Sequence, residues 1–62
     1  MTIQREPRPD GGENILIEAD TFELCQSAYF DLSEEFIGRQ IDARLPTPTH
    51  DGKWAMLATV RA

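Results

Sequence analysis

Between Phe22 and Phe36 the apolar residues Phe22, Cys25, Tyr29, Leu32 and Phe36 recur at spacings of three, four, three and four. At 100° per residue they form one narrow stripe along an α-helix, and such a stripe must be buried against something. A chain of 62 residues has room for one helix of this kind, a small sheet and a thin core. The spacing predicts a helix over about 21–37. Asp20 stands at the N-cap position with Glu23 three residues later, a capping-box pattern with Asp in the Ser/Thr role. Gly38 is placed to end the helix in a left-handed conformation.

The flanking segments alternate with period two. In 13–19, Ile15, Ile17 and Ala19 share one face, and Leu16 and Glu18 share the other. In 39–46, Ile41, Ala43 and Leu45 fall on one face. In 53–61, Trp54, Met56, Ala58 and Val60 point inward, and Ala55, Leu57, Thr59 and Arg61 point away. The turn formers "TPTHDG" at 47–52 join these last two strands as a hairpin. The expected fold is α+β, in the order βαββ: a three-stranded antiparallel-type sheet with one helix on one face. Residues 1–12 hold two prolines, two glycines and balanced charges, and read as a flexible tail. That leaves 13–62 as a single α+β domain.

A broken helix pair is the other reading. Asp31, Glu34 and Glu35 sit in the second half of the helix, where the macrodipole disfavours anions. A break at Asp31–Leu32 would let Ser33 cap a second helix and put Glu34 and Glu35 in its first turn. Leu32 would then staple to Ile37, and the second helix would reach towards Leu45 before Pro46, giving βααβ or βααββ.

Charge narrows the partners. The chain carries −5. Residues 13–35 contain Glu13, Glu18, Asp20, Glu23, Asp31, Glu34 and Glu35 with no Lys or Arg among them. Direct nucleic-acid binding and anionic membrane surfaces are disfavoured, because both need a cationic face. A basic protein surface is the electrostatic match. The single cysteine forms no internal disulfide, the segment "MTIQREPRPDGG" has no apolar signal-peptide core, and the longest apolar run, "WAMLA" at 54–58, is too short to span a bilayer. These features point to a soluble, cytoplasmic protein.

The sequence offers little for catalysis. Cys25 lies on the apolar stripe, and His50 sits in the turn beside Asp51. Two adjacent ligands are not a metal site, and there is no Gly-rich phosphate loop, CxxC or HExxH. The expectation is a non-enzymatic protein with no catalytic residue, cofactor or metal. A small enzyme or metal protein using His50, Asp51 and Cys25 is a distant third reading.

The acidic tract remains. On the helical wheel Glu23, Ser27, Phe30 and Glu34 lie opposite the stripe, with Asp31 beside them. Helix neighbours three or four apart stand about 5–6 Å from each other, close to the phosphate spacing of a nucleic-acid strand. Glu18, Asp20, Glu23, Phe30, Asp31, Glu34 and Glu35 are therefore the candidate partner-binding residues, with Phe30 as anchor and the carboxylates as rim. They would occupy a basic nucleic-acid-binding site on a protein partner. In the alternative, the acids only solubilise a structural or regulatory accessory protein, which dimerises through Leu16 and Leu57 on the outer sheet face.

The segments "IEAD" at 17–20, "SAY" at 27–29 and "DGKW" at 51–54 follow one another in an order found among small acidic phage proteins that inhibit type I-F CRISPR surveillance complexes. In that anti-CRISPR family a strand ends in Val-Glu-Ala-Gly, an acidic helix carries Ser-Ala-Tyr, and Asp-Gly-Glu-Trp lies near the C-terminus. The chain resembles the family in size and plan as well. The resemblance implies a phage or mobile-element protein that mimics DNA and blocks a cationic DNA-binding site on a Cas protein. Lys53 stands where the family has an acid, so the charge pattern differs there. The matched positions are mostly structural, and the contact acids named above rest on the helical wheel alone.

Overall fold

A computed structural model describes residues 1–62. The elements run β1 (Thr2–Pro7), β2 (Glu13–Ala19), α1 (Phe22–Ser33), a single 3-10 turn (Glu34–Phe36), β3 (Ile41–Ala43), β4 (Thr47–Pro48) and β5 (Trp54–Val60). All pairings are antiparallel, and the sheet order is β1-β2-β5-β3, with β4 also on β5. The chain is therefore α+β, with one helix on a five-stranded antiparallel sheet. No helix is long and apolar enough to cross a membrane.

The sheet extends beyond the three expected strands in two places. Residues 2–7, expected as flexible tail, form β1 and pair with β2 from Thr2–Glu18 to Pro7–Glu13. The link between them is an ordered turn. The Arg8 N–H donates to the Gly12 carbonyl at 2.9 Å, and the Gly12 N–H donates to Asp10 Oδ1 at 2.9 Å. Gly11 takes φ +90°, a conformation that suits glycine. The second difference follows the helix: only Ile41–Ala43 of the strand expected at 39–46 form β3, and Thr47–Pro48, expected in the turn, form β4 beyond a bulge. Ala43 lies opposite Ala58 and Thr47 opposite Ala55, so Arg44, Leu45 and Pro46 face only Met56 and Leu57. One extra residue exchanges the faces. Pro46 is buried, and Leu45, expected inward with Ile41 and Ala43, is exposed.

The helix forms one α-helical run. Its N-cap is Thr21, not Asp20: Thr21 is extended, and its Oγ1 accepts from the Leu24 N–H at 3.1 Å. Ser33 caps nothing. Its Oγ donates to the Phe30 carbonyl at 2.8 Å, and the chain tightens into the 3-10 turn rather than a second helix. The last turn thus places Glu34 and Glu35 where no basic residue complements the dipole. Gly38, at φ +90°, reverses the chain after Phe36.

The core lies between α1 and one sheet face. Ile15, Ile17 and Ala19 of β2 and Met56, Ala58 and Val60 of β5 meet Cys25, Ala28 and Phe36. Tyr29, Leu32, Ile41 and Trp54 pack around them, and Phe22 meets the Trp54 ring edge-on at 5.5 Å between centroids. Ile15, Ile17 and Val60 are fully buried, each contributing about 1.5–3 kcal/mol relative to exposure. Phe36 is held between two guanidinium groups, Arg5 at 5.4 Å and Arg39 at 5.6 Å from its ring centroid. Arg39 also donates to the Arg61 and Gly11 carbonyls, joining the 3-10 turn to the end of the β2–β5 pair where β2 begins and β5 ends.

Candidate functional site

The helix is amphipathic because its apolar residues recur on one side, and burial of that side fixes what the other side presents. Cys25, Ala28 and Phe36 face the sheet, and Glu23, Ser27, Phe30, Asp31 and Glu34 are all exposed. Phe30 leaves 58 % of its surface in water. Its ring is tilted against Tyr29 at 5.8 Å between centroids.

The seven candidate residues do not form one surface. Glu23, Phe30, Asp31 and Glu34 share the outward side of α1 and its 3-10 extension. Asp20 is exposed at the junction of β2 and α1. Glu18 lies opposite Thr2 and Ala55, on the sheet face away from the helix, because neighbours Ile17 and Ala19 point into the core. Glu35 is turned towards β1, where its Oε2 lies 3.0 Å from Arg5 Nη1.

Charge pairing separates them in the same way. The ion pairs of the chain are Arg5 with Glu13 and Glu35, Arg8 with Asp10, and Arg61 with Asp42. Glu23, Asp31 and Glu34 therefore have no cationic partner. Arg5 grips Glu13 with two hydrogen bonds, Nε to Oε1 at 2.8 Å and Nη2 to Oε2 at 3.0 Å. These bonds, with the positive charge, hold the Glu13 carboxyl below its ordinary value of 4.5 and raise the Arg5 guanidinium further.

Two side chains beside this surface were not among the candidates. Leu24 is 49 % exposed on the same side as Asp31, and its position outside the stripe already places it there. Leu45, 68 % exposed, forms a shallow groove with Phe30, Tyr29, Ile41 and Pro46, with Arg44 at the rim. Only the β3–β4 bulge brings Leu45 out, and no periodicity signals a bulge.

The groups considered for chemistry lie on separate elements. Cys25 is fully buried, its Sγ 3.5 Å from the Ile17 carbonyl, and burial pushes the thiol above its ordinary value. His50 and Asp51 are exposed in the β4–β5 turn, where the Asp51 carboxylate accepts from the Thr49 hydroxyl. No group of three His, Cys, Asp or Glu side chains is placed to hold a metal ion. The chain matches no protein-family profile, no curated protein and no solved structure.

Proposed function

We propose that this chain is a non-enzymatic inhibitor that sets the outward side of α1 on a basic, nucleic-acid-binding site of a protein partner. The observation carrying this reading is the unpaired set Glu23, Asp31 and Glu34 around the half-exposed ring of Phe30. An unpartnered carboxylate row repels a second acidic surface and attracts Lys and Arg over about a Debye length, ~8 Å at physiological ionic strength. The aromatic ring adds desolvated contact area at the centre. Glu18 and Glu35 leave the contact set: one is on the far sheet face, the other is held by Arg5. Asp20 remains as a rim contributor.

The resemblance to type I-F anti-CRISPR proteins makes a Cas surveillance complex in a host cytoplasm the first partner to test. Purified complex is mixed with labelled target DNA and increasing amounts of this protein. DNA binding falls with the native chain, and a Glu23→Lys/Glu34→Lys variant restores it by at least an order of magnitude in inhibitor concentration. Equal inhibition by the charge-reversed variant sinks the reading.

A second reading has its own observation. Leu16 and Leu57 are cross-strand partners at the middle of the sheet face that no helix covers, and Leu57 is 56 % exposed. A homodimer through that face would leave the acids as solubilising charge. Sedimentation over a range of concentrations, with Leu57→Lys as control, separates the two. A dimer abolished by the substitution supports this reading, and a monomer at every concentration removes it.

A further inference from the structure

We infer that β1 is a docking edge for an extended, cationic segment of another protein, which would add to the sheet as a further strand. The inference deepens the proposed function by naming the shape of the partner segment, and it rests on that reading only in taking the partner to be a protein.

The sheet has two free edges of unequal character. The β3–β4 edge is broken by the bulge and carries Pro46 and Pro48, which block continuous pairing. The β1 edge runs without a bulge or proline over Thr2–Glu6, up to Pro7 at its end, and every residue in it is exposed. Charged side chains usually guard such an edge. Here Arg5 is drawn over Phe36 and held by Glu13 and Glu35, away from the edge. Thr2, Ile3 and Gln4 are left as an uncharged stretch with free backbone groups.

Above this edge lies a groove between β1 and α1. Met1, Ile3, Ala28 and Leu32 form its apolar floor, and Asp31 and Glu35 line its helical side. Ile3 points this way because it lies opposite the buried Ile17. A strand added beside β1 projects alternate side chains into this groove. Lys or Arg suits those positions, because the alkyl stem covers Ile3 and Leu32 and the head reaches Asp31, the groove carboxylate that no cation of the chain pairs. The same geometry argues against a second copy of this chain, since edge-to-edge pairing of two β1 strands offers the unpaired Asp31 no cationic segment. Main-chain pairing supplies affinity and the alternate pockets supply selectivity, as in other cases of strand addition.

The test uses the whole isotope-labelled protein and two capped decapeptides, one alternating Lys and Thr, the other Glu and Thr. Thr keeps both peptides extended. With the lysine peptide at ~100 times its dissociation constant, amide exchange at the free edge of Thr2–Glu6 slows by up to ~100-fold. Resonances of Ala28 and Leu32 shift with it, and the glutamate peptide does neither. Binding without β1 protection, protection by both peptides alike, or no saturable binding overturns the inference. None of those results bears on the DNA-competition assay, so the two proposals fail separately.

Discussion

Gly12 is the residue whose replacement has the clearest outcome. It is buried, and a Cβ there would collide with the backbone carbonyl oxygen of Val60. Backbone on the central strand cannot yield as a flexible side chain can. Gly12→Ala is expected to destabilise the fold by ~1–3 kcal/mol, the usual range for overpacking. Urea unfolding will show a lower midpoint at unchanged slope. A midpoint equal to the native one would mean that the β1–β2 turn moves freely over β5. Neither this role nor the pairing of Arg5 could be read from "REPRPDGG", because glycine at a close approach and glycine in a loose tail look alike until the neighbouring strand is placed.

Elements differ in how far periodicity reveals them. β2 emerges with its expected bounds because Ile15, Ile17 and Ala19 alternate against Leu16 and Glu18. The face of α1 follows from Cys25 and Phe36; the exposure of Phe30 depends on the helix running unbroken past Asp31, which the sequence leaves open between one helix and two. β1 is hidden because an edge strand needs only one inward apolar residue, Ile3; its pairing is made by backbone groups that carry no sequence signal. The helix end is set by side-chain competition, with Thr21 displacing Asp20 as the cap. The Arg5–Glu13 pair fastens β1, and this has a pH signature. Ionised Glu13 favours the folded state above pH 4.5, and that contribution disappears as pH falls through the lower folded-state value. Protection of the amides of residues 2–6, referred to the intrinsic exchange rate at each pH, is therefore expected to fall on acidification before that of β2 and β5. Arg5→Gln should show the lowered protection already at neutral pH and lose the acid step. Uniform exchange across all strands would exclude a separate β1 unit.

For the whole molecule, the decisive fact is the position of β5. The last strand in sequence order is a central one, pairing with β2 on one side and with β3 and β4 on the other. It also supplies Met56, Ala58 and Val60, a third of the buried core cluster. A chain ending at Gly52 should therefore show no cooperative thermal transition by circular dichroism, although it retains β1, β2 and α1. A sharp transition in that fragment would show that the helix and the β1–β2 hairpin suffice. Small cores leave no such reserve.

That arrangement also bears on how the protein is made. Synthesis delivers the isoleucine-rich ladder of β2 well before its inner neighbour, so a nascent chain carries an open, sticky seam until β5 has emerged. The carboxylates that emerge with that seam, from Glu13 to Glu35, give every unfinished copy the same sign of charge, and like charges repel.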